Sequence, residues 1–262
     1  GTYRFVCYPP AGYDYLKQTV QYAFVAGTNI NHNFTFTLGG TISGSITNYS
    51  TSISQLSPGT SGYMVFAFPN NLSIESGEPA GMTWAADVYA LRGLPAGVMD
   101  VYVSAGNFDY ATGEPNSLSV VAAQYNVTSS TAGVTSGVNF NVSIGSASLS
   151  GTVKSQDGRP IFTPDSQPGI FIFNTAGKVA AFTRVWQKSA YDYSSGDFYL
   201  NNISAGDYRA TVLAKNCLPL RDYAITIQAG EYKTVDFTLL TSTETGSVRG
   251  NITYTGTKTG TY

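Results

Sequence analysis

The stretch Ser148-Leu149-Ser150-Gly151-Thr152-Val153 decides the fold, because its pattern of small residue, aliphatic, any residue, Gly, any residue, aliphatic returns elsewhere. It stands as Thr41-Ile42-Ser43-Gly44-Ser45-Ile46, 107 positions earlier, and as Ser247-Val248-Arg249-Gly250-Asn251-Ile252, 99 positions later. Each copy follows an expected strand of alternating apolar residues: Phe34, Phe36 and Leu38; then Phe140, Val142 and Ile144; then Phe237 and Leu239. The three leading phenylalanines are 106 and 97 positions apart, so a second marker reproduces the period. A third is the turn Leu94-Pro95-Ala96-Gly97 before Val101 and Val103, echoed by Ile203-Ser204-Ala205-Gly206 before Tyr208, Ala210 and Val212. Self-similarity at a fixed period indicates stacked structural units.

Between the markers lie short segments of period-2 alternation rich in Val, Ile, Thr, Tyr and Phe, at 63–68, 98–103, 169–173, 198–200, 208–213 and 223–227. Gly, Pro, Asn and Ser turns separate them, which is the pattern of half-buried strands. Residues 15–26 have a helical length, but Val20, Tyr22 and Phe24 alternate and Gly27 follows, so they also read as strand. Several strands per hundred residues define an all-β chain of tandem immunoglobulin-like or transthyretin-like β-sandwiches.

The quoted stretch, followed by Asp157-Gly158-Arg159-Pro160-Ile161, Ser195-Gly196-Asp197-Phe198-Tyr199-Leu200, Ile203-Ser204-Ala205-Gly206-Asp207-Tyr208, Ala229-Gly230-Glu231 and Val235-Asp236-Phe237-Thr238-Leu239, resembles a carboxypeptidase regulatory-like domain. The resemblance covers about residues 146–241; residues 39–145 match less fully, a longer loop at 50–61 replacing the Asp-Gly-x-Pro turn. It implies a transthyretin-like seven-stranded sandwich, used in bacterial surface and secreted proteins as a repeated non-catalytic module.

These markers divide the chain into a back half of a repeat at 1–38, a complete repeat at 39–145, a complete carboxypeptidase regulatory-like repeat at 146–243, and the front strand of a further repeat at 244–262. Gly1-Thr2-Tyr3-Arg4, Ala26-Gly27 and 34–38 align with Gly206-Asp207-Tyr208-Arg209, Ala229-Gly230 and 237–239. Incomplete half-domains at both ends expose sheet edges, and two explanations fit. Either residues 246–255 of one copy complete 1–38 of the next, giving a head-to-tail filament, or the 262 residues are a window on a longer surface stalk or adhesin. In the first case Val248, Ile252 and Tyr254 insert beside Tyr3, Phe5, Phe34 and Phe36.

Composition narrows the function. Only 11% of residues are charged, with a net charge of −2 and no basic run, so the chain lacks the footprint for nucleic acid or an anionic membrane. No apolar run has the length of a membrane span, and no charged, apolar leader opens the sequence, as expected either of a chain whose signal peptide has been removed or of one cut from something longer. One histidine and two cysteines give no zinc spacing, and no cofactor is implied. His32, between two asparagines, reads as a surface residue, and no G-x-S-x-G elbow exists, so no hydrolytic triad forms. Glu75, Glu78, Asp109 and Glu114 are scattered in loops rather than paired across a cleft, and Asp157-Gly158 is a hairpin signal rather than a calcium loop. The expectation is a non-enzymatic extracellular protein.

Asn-x-Ser/Thr occurs at Asn33, Asn48, Asn71, Asn126, Asn141, Asn202 and Asn251, which are candidate glycan acceptors, with Asn33, Asn141 and Asn251 at repeat-equivalent places. Trp84, Trp186, Tyr191 and Tyr193 fall in or near loops, either as sugar-stacking aromatics or as core and joint fillers. Cys7 alternates with Tyr3 and Phe5 and is expected in a core, Cys217 in an exposed turn, and the two too far apart to pair.

Overall fold

The computed structural model describes residues 1–10, 13–27, 29, 31–48, 62–70, 79–108, 115–162, 167–189 and 192–241. Among these the chain is all-β, without a helix. The elements are β1 (Thr2–Cys7), β2 (Gln18–Ala23), β3 (Gly40–Thr47), β4 (Gly62–Pro69), β5 (Gly81–Trp84), β6 (Val88–Leu94), β7 (Gly97–Phe108), β8 (Pro115–Ser129), β9 (Val134–Thr135) and β10 (Phe140–Asn141). They continue with β11 (Ala147–Ser155), β12 (Gly169–Asn174), β13 (Val179–Arg184), β14 (Trp186–Ser189), β15 (Asp192–Ile203), β16 (Gly206–Leu213), β17 (Leu220–Ile227), β18 (Tyr232–Thr234) and β19 (Phe237–Leu239).

The repeated motif forms β3 and β11, and the two strands have matching surroundings. β3 pairs antiparallel with β6 and parallel with β9 and β10; β11 pairs antiparallel with β15 and parallel with β18 and β19. Their facing sheets also match, with order β5-β4-β7-β8 in one and β13-β12-β16-β17 in the other. The motif's glycine explains the crossing. A Cβ on Gly44 would lie 1.9 Å from the Val138 carbonyl oxygen, and one on Gly151 would lie 1.9 Å from that of Val235. Glycine inside a strand forfeits side-chain packing but permits this close backbone approach.

Alternating residues from the two sheets of each sandwich meet in its core. Ile42, Leu91, Val101, Val103 and Phe140 pack in the first, and Leu149, Val153, Ile170, Ile172, Phe198 and Phe237 in the second. Each such side chain contributes roughly 1.5–3 kcal/mol by leaving water.

The two sandwiches share one eight-stranded sheet, ordered β17-β16-β12-β13-β8-β7-β4-β5. Ser117, Leu118 and Ser119 of β8 pair with Thr183, Phe182 and Ala181 of β13 while the same three residues pair with β7 on the other side. Phe182 packs against a cluster of Met64, Phe66, Phe68, Tyr102 and Leu118 from the first sandwich. Lys178 Nζ lies 2.6 Å from Asp100 Oδ2, whose side chain is 5% exposed, and 5.0 Å from the Tyr125 ring centre.

Two expectations from the sequence change. The alternating stretches 34–38 and 140–144 are not full strands: β10 covers only Phe140–Asn141, and in the former only Leu38 is bridged, to Tyr15. Return strands are short because the glycine crossing interrupts each parallel pairing, with β9 and β18 before it and β10 and β19 beyond it. Residues 34–37 have no such neighbour among the described residues. Asp157-Gly158 ends β11 without closing a hairpin, since β12 belongs to the facing sheet; its carboxylate accepts from the Thr241 hydroxyl and the Arg159 amide.

Candidate functional site

Residues 1–38 reproduce the backbone of 206–241. Gly1 and Phe24 exchange hydrogen bonds of 3.0 and 2.8 Å, in the register of Gly206 with Ile227. Three residues beyond, Gly27 and Gly230 have left-handed φ values of 83° and 71°, which glycine adopts without strain. Seven residues later stand Phe34 and Phe237. The isolated bridge Tyr15 to Leu38 matches Cys217 to Thr241, and Leu16 N donates to Thr37 O at 2.9 Å as Leu218 N does to Leu240 O at 2.8 Å.

The faces differ in what covers them. Tyr208, Ala210, Ile225, Ile227, Phe237 and Leu239 are buried beneath β11 and its neighbours. At the matching positions Tyr3 is 57% and Phe5 42% exposed, and Tyr22, Phe24, Phe34 and Phe36 are half-buried. The rings partly shelter one another: Tyr3 and Phe5 stand 5.5 and 5.7 Å from Phe24, Tyr22 is 5.4 Å from His32, and His32 4.7 Å from Phe34. Phe36 lies instead against Tyr15, at 6.1 Å. Thus the structure brings Tyr3, Phe5 and Phe34 into one cluster and sets Phe36 at its border. Val248, Ile252 and Tyr254 lie outside the described residues.

Asp14 fastens this half to the first sandwich. Its Oδ1 accepts from Thr41 Oγ1 at 2.8 Å and from Arg92 at 2.9 Å, and its carbonyl accepts from Gly39 N at 2.6 Å. The Thr41 hydroxyl, followed by Arg92, lowers the Asp14 carboxyl below its ordinary pKa.

Both described cysteines are free and half-buried. Cys7 faces the open cluster rather than a closed core, because among the described residues no second sheet covers β1. Cys217 packs on the second core rather than in an exposed turn, and burial, then Asp157, raises its thiol pKa.

The candidate sugar-facing aromatics are in strands rather than loops: Trp84 in β5, Trp186 in β14 and Tyr193 in β15, each between 42% and 47% exposed. They are not brought together, since β5 ends the eight-stranded sheet and β14 ends another. Trp186 does line a cleft with Tyr199, Asn107, Asn116 and Asn201. Tyr199 alternates with the core residues Phe198 and Leu200, a signal of outward orientation that the sequence reading left unused. Tyr191 lies outside the described residues.

Among the acceptor asparagines, Asn33, Asn48, Asn126 and Asn141 are exposed, whereas Asn71 and Asn251 lie outside the described residues. Asn33 and Asn141 are not at equivalent places after all, since Asn33 precedes Phe34 as Asn139 precedes Phe140, while Asn141 follows it. Asn202 is 5% exposed, and burial withholds its carboxamide from a modifying enzyme. Asn48, Asn126 and Asn202 have φ near +60°, where asparagine is favoured among residues with a Cβ. Asn48 Nδ2 also donates to Asn141 Oδ1 at 2.6 Å.

Acidic side chains serve local turns. Asp192 accepts from the Ser195 and Ser194 hydroxyls and the Ser194 amide, which lowers its pKa to about 2. Glu75, Glu78, Asp109 and Glu114 lie outside the described residues. Among the described residues no three potential metal ligands converge, and no helix is long and apolar enough to cross a membrane.

No protein-family model and no curated protein matches the chain. Similar solved structures include the Bacillus anthracis TIE protein, at 11% identity and a TM-score of 0.26, covering 86% of this chain and 37% of that one. A leucine-rich repeat protein from Bacteroides thetaiotaomicron, at 10% identity and a TM-score of 0.27, covers 78% of this chain and 27% of its own. The chain therefore spans less than two fifths of these two proteins. The shaft pilin SpaA from Lactobacillus rhamnosus GG, at 11% identity and a TM-score of 0.24, covers 80% of this chain and 100% of its own. Similarity at this level selects no activity.

Proposed function

We propose that the chain is a non-enzymatic, extracellular structural protein, the protomer of a fibre assembled head to tail. In this reading residues 246–255 of one copy complete the open half at 1–38 of the next by strand addition. The observation that carries it is the open aromatic face at 1–38, set on the same backbone as a face that is covered at 206–241. What covers the second face is the strand formed by Ser148-Leu149-Ser150-Gly151-Thr152-Val153, and the chain holds a further copy of that motif at 247–252. Strand addition between unlike surfaces does not close on itself, so it propagates.

The four-part division at 1–38, 39–145, 146–243 and 244–262 follows from this reading, as does the carboxypeptidase regulatory-like character of the second sandwich. Glycans on exposed Asn126 and Asn141 would lie outside the joint. Ile252→Asp tests the proposal, because a carboxylate in the completed core is costly. Electron microscopy should show loss of filaments while the sandwiches at 39–241 keep their thermal transition; normal filaments would overturn it. Recovery of a much heavier continuous chain from native material would instead favour a surface stalk.

The cleft lined by Trp186, Tyr199 and four asparagines supports a second reading, a saccharide-binding module. Quenching of tryptophan fluorescence by polysaccharide, lost in Trp186→Ala, would favour it.

A further inference from the structure

We infer that Asn33 is the clamp that sets the register of the incoming strand, with the His32 carbonyl over Gly250 and the Asn33 carboxamide accepting from the Asn251 backbone N–H. This inference rests on the strand-addition reading above. The incoming strand belongs to a second copy of the chain. Thr241 is bridged to Cys217 in the second sandwich, whereas residues 1–38 are fastened to the first through Asp14, so the motif at 247–252 follows the sandwich that the open half does not touch.

Both completed sandwiches set the precedent atom by atom. In the first, Val138 N donates to Ser43 O at 3.1 Å, the Val138 carbonyl crosses Gly44, and Ser45 N donates to Asn139 Oδ1 at 2.9 Å. In the second, Val235 N donates to Ser150 O at 2.9 Å, the Val235 carbonyl crosses Gly151, and Thr152 N donates to Asp236 Oδ1 at 2.8 Å. A phenylalanine follows each clamp, Phe140 opposite Ile46 and Phe237 opposite Val153, in parallel register. The residues before Phe34 are His32 and Asn33, and those around Gly250 are Arg249, Asn251 and Ile252. The mapping places Ile252 opposite Phe34 and Thr253 opposite Thr35. Side chain, carbonyl and glycine therefore recur together. A carboxamide or carboxylate at the clamp position holds the strand N–H that the crossing carbonyl leaves without a ladder partner.

The inference reassigns an exposed Asn-x-Thr site. Asn33 accepts a backbone hydrogen bond in the fibre, and a glycan on its Nδ2 would stand where the strand enters.

Asn33→Asp and Asn33→Ala separate the two roles, since both abolish a glycan but only Asp keeps the acceptor oxygen, as Asp236 does. Assembly of the full chain, followed by sedimentation across concentrations, should show Asn33→Asp within about twofold of the parent. Asn33→Ala should raise the concentration needed for assembly about tenfold, the cost of an unpartnered amide. Gly250→Val should abolish assembly, because its Cβ meets the His32 carbonyl. Equal assembly by Asn33→Ala and Asn33→Asp, or filaments from Gly250→Val, would overturn the inference. The Ile252→Asp control separates this failure from that of strand addition itself: loss of filaments there alone leaves the fibre and discards the register. A direct readout follows from Thr35→Cys with Thr253→Cys, in a chain with Cys7→Ser and Cys217→Ser. Oxidation should give a ladder of disulfide-linked copies on a denaturing gel. A ladder as strong from Thr37→Cys with Thr253→Cys would overturn the register.

Discussion

Tyr3 and Tyr208 hold the same place in two hairpins of matching register, yet Tyr3 is 57% exposed and Tyr208 only 9%. The hairpins differ in their partner. β16 and β17 face a sheet built on β11, while among the described residues β1 and β2 pair only with each other. Burial is thus conferred by the strand that arrives, not by the hairpin that waits. The residues record this difference. Where the covered face carries Ala210, Ile225 and Ile227, the open one carries Phe5, Tyr22 and Phe24. In the proposed fibre a joint unit of about 55 residues would have fewer strands with which to fill a core. Large rings would fill such a core, and in the chain by itself they lean edge-on against one another, an arrangement aromatic quadrupoles favour.

The sharpest way to break this comparison is to truncate the same phenylalanine in both places. Phe237→Ala should cost about 4 kcal/mol of unfolding free energy, since the side chain is 1% exposed. Phe34→Ala in unassembled chain should cost under about 1 kcal/mol, half-buried as it is. Denaturant titration of each variant measures both, and equal losses would mean the open face is already covered. In assembled material the Phe34→Ala cost should grow toward that of Phe237→Ala.

A smaller effect tests whether the two sandwiches behave as one body. Lys178→Met strands the buried Asp100 carboxylate and should cost about 2 kcal/mol, reduced from a fully buried pair because the lysine side chain is 34% exposed. The loss should appear as earlier amide exchange at β8 and β13. The smallest effect concerns the hold on 1–38. The folded pKa of Asp14 lies below its ordinary value, so its contacts contribute fully above about pH 4 and fade as pH falls through the folded value. The contribution of this exposed pair is under about 1 kcal/mol. Exchange protection of Gly39 and Thr41 should fall with acidification, and Asp14→Asn should remove the pH dependence.

The fold class was legible because its signals are local. Alternation at 63–68, 169–173 and 208–213 became β4, β12 and β16. The motif glycine marked the crossing even without its partner in view, since glycine within an alternating strand requires a reason. Less legible was anything decided by what lies across a strand. Cys217 looked like a turn thiol beside Pro219, but its bridge to Thr241 is formed by residues far along the chain. Asn202 matched a glycan pattern that says nothing of burial. Trp186 looked like a loop aromatic, and only the pairing of β14 with β15 shows it on a sheet edge beside Tyr199. The shared sheet was silent in the sequence, because three pairs between β8 and β13 leave no periodic trace.

That shared sheet also has a mechanical consequence. Two domains joined by a linker swing like beads on a string, and a modest force realigns them. Here Ser117, Leu118 and Ser119 are hydrogen-bonded on both sides, to β7 of one sandwich and to β13 of the other. Bending one sandwich against its neighbour must shear those bonds and drag Phe182 out of its cluster. Compliance is therefore expelled from the seam between the two sandwiches, and in the proposed fibre flexure would concentrate at the joints between copies.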